Sequence, residues 1–88
     1  MKSLWFKEKY VKPILSGEKN YTIRKKSNRN PNIGEIITLT VGPRPPFAKV
    51  KIIDKTQFLI PPEMKDVYDN LYPNYTGIFE KIVFTLIN

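Results

Sequence analysis

The residues best suited to chemistry lie in the stretch LSGEKNYTIRKK, which runs from position 15 to position 26. It places Lys19 three residues before the hydroxyl of Thr22, and the guanidinium of Arg24 two residues further on. If this segment is a strand, Asn20, Thr22 and Arg24 point to the same side of it. A lysine that lies near other cations and is partly withdrawn from water loses its proton more easily, and it can then act as a base toward a hydroxyl. The stretch therefore predicts either a base and nucleophile pair or a polar ligand-binding face.

The same residues also fit an ordinary strand. A half-exposed strand carries polar side chains on its solvent face without any catalytic role, and Tyr21, which points away from Thr22, would then pack inward. Arg24 and the two lysines after it still give this strand end a dense positive charge, which suits a phosphate, a carboxylate or a carbonyl oxygen. The two interpretations differ in whether Lys19 and Thr22 face the same hollow.

The composition narrows the possible chemistry. The 88-residue chain contains no cysteine and no histidine, so disulfides, thiolate nucleophiles, the usual zinc sites and Ser-His-Asp chemistry are excluded. We expect no cofactor and no metal. A chain of this length forms a single domain, residues 1–88. Its amino terminus is too charged for a signal peptide and no run reaches membrane-spanning length, so we expect a cytoplasmic protein without membrane contact.

Positive charge is concentrated in one part of the chain. The formal net charge is +7. Between positions 19 and 51 Glu35 is the only acid, whereas the basic residues are Lys19, Arg24, Lys25, Lys26, Arg29, Arg44, Lys49 and Lys51. This asymmetry indicates a polyanionic partner, whose phosphates would bind the basic surface in a salt-dependent way. The alternative is a lysine-rich surface that only keeps the protein soluble.

Hydrophobic patterning predicts the element order β-α-β-β-β-α-β. Helices are predicted at residues 7–17, ended by Gly17, and at residues 61–73, ended by Pro73. The last strand is apolar on both faces from Ile82 onward, which indicates a central position in the sheet. Short strands joined by tight or proline-stiffened turns favour an α+β fold, a small mixed β-barrel of about five strands with two short helices. The strands are predicted at residues 3–6, 20–25, 35–41, 48–54 and 78–88.

Alternation within the strands predicts which side chains form the core. In the fourth strand Val50 and Ile52 are expected to point inward, and Lys49 and Lys51 outward. Trp5 stands in the apolar run SLWF, which is typical of a buried strand, so its ring is expected in the core.

The segments YVKPILSGEKNYTIR and NPNIGEIITLTVG together resemble the ASCH domain, a family within the PUA-like superfamily of small β-barrels. The shared pattern is an apolar helix that ends in Ile-Leu-x-Gly-x-Lys, then a Thr-Ile-Arg strand, then a Gly-acid pair that opens the next strand. The match is good over the first half of the chain and looser over the second. The residues that carry it are Ile14, Leu15, Gly17, Lys19, Thr22, Ile23, Arg24, Gly34 and Glu35.

The resemblance implies a pseudo-barrel whose cleft binds RNA or modified nucleosides. In one branch of the family, small bacterial enzymes hydrolyse the acetyl amide of N4-acetylcytidine. The lysine and threonine of the motif act there as base and nucleophile, and they map onto Lys19 and Thr22. A glutamate just before the second helix acts as the proton donor in that branch.

This chain departs from that branch at the proton donor. The segment before the second predicted helix, DKTQFLIPP, contains no glutamate, and Gln57 stands about where the acid is expected. A glutamine can donate a hydrogen bond but cannot protonate a leaving group. Glu63, inside the predicted helix, and Asp54, at the end of a strand, are the acids that could replace it.

Three functions are compatible with these observations. The first is a monomeric domain that binds RNA or a nucleoside-like ligand in the cleft. The second is an amidohydrolase of N4-acetylcytidine or a related small amide, with Lys19 as base, Thr22 as nucleophile and Glu63 as acid. The third is an accessory domain that binds an acidic protein. We prefer the first, because it explains the basic segment and needs no acid. Its ligand-binding residues would be Lys19, Asn20, Thr22, Arg24, Lys26, Arg44 and Gln57.

Overall fold

The computed structural model describes residues 2–59 and 77–87, which form five strands and one short helical segment. The helical segment is a 3₁₀ turn, Glu8–Tyr10, that continues directly into helix α1, Val11–Ser16. The strands are β1, Ser3–Trp5; β2, Tyr21–Lys25; β3, Ile36–Thr40; β4, Ala48–Phe58; and β5, Phe79–Leu86.

The five strands form one mixed sheet in the order β1-β3-β4-β5-β2. Strand β1 pairs in parallel with β3, and the other pairs are antiparallel. The sheet curls into a half-barrel, which confirms the predicted α+β class and mixed sheet. Strand β5 lies between β4 and β2, so its predicted central position is confirmed. The two edge strands, β1 and β2, are those that flank α1 in the sequence, and this arrangement determines where the candidate site forms.

The concave face of the sheet, which we call the inner face, carries the core. Val50 and Ile52 are fully buried there, as the alternation predicts, while Lys49 and Lys51 are exposed on the outer face. Ile14 of α1 packs on the inner face, so the helix covers that side. Each fully buried apolar side chain stabilises the fold by about 1.5–3 kcal/mol. The core comprises Leu4, Phe6, Ile14, Ile37, Leu39, Val50, Ile52, Ile82 and Phe84.

Helix α1 tolerates a proline and ends at a glycine. Pro13 occupies the third position of α1, within the first turn, where a backbone N–H has no helical acceptor. The helix ends at Gly17, which adopts a left-handed conformation with φ 87° and donates its N–H to the carbonyl of Ile14 at 3.2 Å. Two residues later the Lys19 N–H donates to the carbonyl of Pro13 at 3.0 Å. The end of the helix therefore fixes the backbone position of Lys19.

Substitution of Gly17 by alanine is expected to lower the free energy of unfolding by about 1–2 kcal/mol, because an L side chain is strained at positive φ. The space around Gly17 is open, since an added Cβ would meet no atom within 4 Å, so the loss would come from the backbone alone. Urea denaturation measures it. A Gly17→Asn variant, whose side chain tolerates this conformation better, should lose less. Equal losses in the two variants would contradict the backbone explanation.

Strand β4 is longer than predicted and contains a bulge. It was expected to end at Asp54 but continues to Phe58. The pairing with β5 shifts between Ile52 and Asp54: Ile52 pairs with Phe84, and Asp54 pairs with Val83. The extra residue reverses the alternation. Asp54 therefore lies on the outer face, whereas Gln57 lies on the inner face opposite Glu80.

The second predicted helix and Glu63 lie outside the described residues. Over residues 2–59 and 77–87, the structure contains no helix with the length and apolar character needed to span a membrane.

Candidate functional site

A hydrogen bond from β2 to β1 joins the two edges of the curled sheet. The Nη2 of Arg24 donates to the carbonyl oxygen of Trp5 at 2.6 Å. The Nε of the same guanidinium donates to the Thr22 hydroxyl at 3.3 Å, and its Cζ lies 4.9 Å from the centre of the Phe6 ring. We call this junction of β1 and β2 the seam. Arg24 is thus held in place from three directions, and it fixes Thr22, which is itself buried.

Lys19 lies at the same seam, immediately before β2. Its Nζ is 4.9 Å from the centre of the Tyr10 ring and 4.8 Å from that of Tyr21. The Tyr10 and Phe6 rings are in edge-to-face contact with centroids 6.4 Å apart. A continuous line of contacts therefore runs from Lys19 through the two rings to Arg24. This line brings together Lys19, Thr22 and Arg24, the residues that the sequence singles out.

The surroundings make the charged form of Lys19 less favourable. Partial burial lowers the pKa of its ammonium, Tyr10 acts in the opposite direction, and the positive charge of Arg24 lowers the pKa further. A larger share of neutral amine is the condition for Lys19 to act as a base. Lys19 and Thr22 are not hydrogen-bonded to each other in the described part of the chain, so proton transfer between them would require Lys19 to turn away from the tyrosine rings.

A cavity of about 260 Å³ opens beside Lys19. Lys19, Asn20 and Gly17 lie on its polar side, and Ile14 and Phe84 of the core lie on its apolar side; the lining also includes Ile53, Thr85 and Leu86. Thr22 and Arg24 are not among the described residues that line it, so the cavity adjoins Lys19 rather than the Arg24–Thr22 pair. The carbonyl of Asn20 accepts a hydrogen bond from the N–H of Phe84 at 2.9 Å, which ties this wall to β5. An apolar floor with a few polar groups at the rim is the usual form of a small-molecule site.

The structure also places two basic residues predicted to bind a ligand, Lys26 and Arg44, and two aromatic residues predicted to lie in the core, Trp5 and Tyr21. Lys26 is exposed just beyond β2, and its N–H donates to the carbonyl of Ile78 at 2.9 Å. Arg44 is exposed and donates to Glu8 Oε2 at 2.9 Å, in a surface ion pair. The prediction that Trp5 packs in the core is wrong, since the residue is 60% exposed. Tyr21 is likewise 40% exposed rather than inward, because the inner side of β2 is the side of Thr22.

A buried polar cluster on the inner face was not predicted. Glu80 of β5 is 1% exposed and lies opposite Arg24 in the β2–β5 register. It accepts hydrogen bonds from Asn30 Nδ2 at 2.8 Å and Gln57 Nε2 at 3.1 Å, and the Nζ of Lys55 is 3.4 Å away. A signal for this cluster is present in the sequence, because Glu80 shares the inward parity of the apolar residues Ile82 and Phe84.

Among the described residues, no carboxylic acid is placed to donate a proton beside Lys19 and Thr22. Asp54 lies on the opposite face of the sheet, and Gln57 donates to Glu80. Burial alone would raise the pKa of Glu80, but the hydrogen bonds from Asn30 and Gln57 and the charge of Lys55 outweigh it and lower that pKa. Glu80 is therefore a carboxylate at neutral pH, and it accepts hydrogen bonds rather than delivering a proton.

Replacing Arg24 by lysine is expected to lower the free energy of unfolding by about 1–2 kcal/mol. A lysine keeps the charge but cannot donate along two directions to the Trp5 carbonyl and the Thr22 hydroxyl. Chemical denaturation of this variant measures the loss. Arg44→Lys is the matched control, because the Arg44–Glu8 pair is exposed and is expected to contribute less than about 0.5 kcal/mol. Equal losses would show that the seam contact does not hold the edges together.

Solved structures of ASCH proteins share this fold. An ASCH domain from Lactobacillus crispatus JV V101 superimposes with a TM-score of 0.70 at 12% identity, covering 97% of this chain and 78% of its own. Two variants of an ASCH protein from Zymomonas mobilis give TM-scores of 0.69 and 0.67 at 17% and 15% identity. Each of these alignments covers 99% of this chain, and they cover 71% and 73% of the Zymomonas chains. No protein-family model and no curated protein matches the sequence. The chain therefore has the ASCH-domain fold that the resemblance implies.

Proposed function

We propose that the cavity beside Lys19 binds a nucleoside unit, either as a free modified nucleoside or as one nucleotide of an RNA strand. The observation that carries the proposal is that Lys19 lines a cavity of about 260 Å³ and is linked through the Tyr10 and Phe6 rings to the hydrogen-bonded pair of Arg24 and Thr22. The apolar wall of Ile14 and Phe84 suits the faces of a base. The Lys19 ammonium and the Asn20 amide suit the carbonyl and amino groups at its edge.

Binding of cytidine, N4-acetylcytidine and adenosine, followed by isothermal titration calorimetry, tests this proposal. A nucleoside site in this cavity predicts saturable binding of at least one of them, with chemical-shift changes confined to the residues around Lys19. Absence of binding to all three nucleosides and to their 5′-monophosphates would overturn it.

Hydrolysis of an acylated cytidine is a second candidate, and the lowered pKa of Lys19 favours it. In this reaction the Lys19 amine takes the proton of the Thr22 hydroxyl, and the hydroxyl oxygen attacks the acetyl carbonyl carbon. The C–N bond then breaks, the proton returns to the departing cytidine amine, and water hydrolyses the resulting ester to acetate and free Thr22. This route needs a proton donor near the scissile nitrogen. The protonated Lys19 would have to serve, because Glu80 is held as a carboxylate.

Acetate release from N4-acetylcytidine separates the two candidates. Turnover that disappears in Thr22→Val but persists in Thr22→Ser would support hydrolysis. Binding of N4-acetylcytidine without acetate release would support nucleoside binding and contradict hydrolysis.

A further inference from the structure

The outer face of the sheet carries exposed aromatic and basic side chains that do not line the cavity beside Lys19. Trp5 of β1 is 60% exposed and Tyr21 of β2 is 40% exposed, and both lie on the outer face. Lys49 and Lys51 of β4 are exposed on the same face, where they lie opposite Thr38 and Ile36 of β3. Lys81 of β5 is exposed there too, opposite Ile23. We call Trp5, Tyr21, Lys49, Lys51 and Lys81 together the outer-face patch.

The charge on this face is predominantly positive. Besides the patch lysines, Lys25 lies on the outer face of β2, and Asp54 is the one carboxylate on the outer face of the described strands. Helix α1 packs on the opposite, inner face through Ile14, so no described helix covers the patch. The outer face thus presents an exposed indole on one edge strand and several exposed lysines on the strands β4 and β5. An occupant with both negative charge and flat apolar surfaces would be complementary to it.

We propose that the outer-face patch binds single-stranded nucleic acid, with Trp5 stacking on a base and Lys49, Lys51 and Lys81 contacting phosphates. Aromatic side chains on a positively charged sheet recognise single strands because every base offers a face for stacking and the backbone offers charge. An acidic protein segment would satisfy the lysines but would have no comparable use for the indole.

The outer-face patch adjoins the cavity beside Lys19 at one residue, Tyr21. The Tyr21 ring lies 4.9 Å from Lys81 Nζ of the patch and 4.8 Å from Nζ of Lys19, which lines the cavity. A strand bound across the outer face would therefore pass Tyr21 to reach the cavity, and one of its nucleotides could enter there. This part of the inference rests on the proposed function, whereas binding to the outer face does not.

Fluorescence anisotropy of a labelled decauridylate tests the patch. The double variant Lys49→Gln/Lys51→Gln should bind about tenfold more weakly at 50 mM salt, and its salt dependence should fall in slope by about 1.4, as expected for two lost phosphate contacts on a single strand. The matched control is Lys7→Gln/Lys12→Gln, which removes the same charge from exposed positions outside the strands. Equal weakening in the two double variants would overturn the proposal.

Trp5 supplies an independent readout, because it is the only tryptophan in the chain. Its fluorescence should be quenched on titration with the decauridylate. Trp5→Ala should weaken binding at least about fivefold, while Trp5→Phe should retain part of it. Unchanged fluorescence at saturation would overturn the stacking role, and binding to phosphatidylserine vesicles but not to the decauridylate would overturn the nucleic-acid assignment.

The two proposals fail separately. If Lys49→Gln/Lys51→Gln loses decauridylate binding but no nucleoside binds, the proposal for the outer-face patch is supported and the proposed nucleoside site is overturned. If nucleosides bind and the double variant behaves like its control, the nucleoside site is supported and the proposal for the outer-face patch is overturned.

Discussion

Replacement of Lys19 by methionine is expected to weaken nucleoside binding about 10- to 100-fold. Hydrogen bonds to a charged partner typically contribute about 1.5–3 kcal/mol, and every 1.4 kcal/mol corresponds to about a tenfold change in affinity. Methionine keeps an apolar stem against the Tyr10 and Tyr21 rings, so the walls of the site should remain while the ammonium is lost. Isothermal titration calorimetry with the nucleoside that binds best measures the change. If acetate release occurs, Lys19→Met should abolish it, because no base would then remain at Thr22.

The chain offers a matched control for this variant. The Nζ of Lys9 lies 5.1 Å from the centre of the same Tyr10 ring, but Lys9 is exposed and does not line the cavity. Lys9→Met removes the same charge from the same aromatic ring, and it should change affinity less than about twofold, as expected for a solvated charge. If the two variants weaken binding equally, the effect of Lys19 is one of net charge and the site assignment is wrong.

Replacement of Glu80 by glutamine is expected to have the largest effect on stability, a loss of about 2–4 kcal/mol at neutral pH. The carboxylate is buried and accepts from Asn30 and Gln57 while it balances the charge of Lys55. A glutamine of the same shape keeps one acceptor, but it places its amide group against a donor and leaves the ammonium without its anion. Since a small domain is stable by only about 5–15 kcal/mol, urea denaturation resolves such a loss easily.

The pH dependence of this loss has a definite sign. The pKa of Glu80 is lower in the folded protein than its ordinary value of 4.5, so the unfolded chain binds more protons over the interval between the two values. Stability from the carboxylate is therefore complete above about pH 4.5 and is lost as pH falls through the folded pKa. The difference in unfolding free energy between the wild type and Glu80→Gln should shrink as the pH is lowered from 5 toward 2.5.

Glu8→Gln is the control for Glu80→Gln. It makes the same chemical change in the exposed Glu8–Arg44 pair and should lower the unfolding free energy by less than about 0.5 kcal/mol at every pH. A difference between the wild type and Glu80→Gln that stays constant down to pH 2.5 would show that the ionised form of Glu80 contributes nothing to stability.

The sequence predicts the framework of this protein well because local signals determine it. Gly17 ends the helix because it can adopt the left-handed conformation required there. Val50 and Ile52 point inward because side chains alternate along a strand and these two apolar residues share one face. The parallel pairing that places β1 at the edge of the sheet, beside β3, carries no such local signal. The prediction for Trp5 is wrong because an apolar run does not show whether its strand is central or at an edge. Strand β1 covers Ser3–Trp5, and at this edge Leu4 and the following Phe6 are buried while Trp5 between them is exposed.

The candidate site was predicted in part. Lys19, Thr22 and Arg24 belong to one local segment, so their spacing was enough to place them together. The partners that complete the site are distant in sequence: Trp5 reaches Arg24 across 19 positions, and Glu80 reaches Asn30 across 50. Such pairings depend on strand order and on how the sheet curls, which one sequence does not reveal. Gln57 lies opposite Glu80 because the pairing of β4 with β5 is irregular after Ile52, and no residue type in the sequence indicates that irregularity.

That irregularity also determines which side chains reach the concave surface in the second half of β4. With the extra residue at Ile53, Asp54 lies opposite Val83 on the outer face and Gln57 lies opposite Glu80 on the inner face. Deleting Ile53 would join Ile52 directly to Asp54 and keep both of these pairings, so the bulge would disappear while every later side chain stayed on its present face. A strand shortened in this way should therefore retain the Glu80 contacts, and it would not bring Asp54 to the inner face.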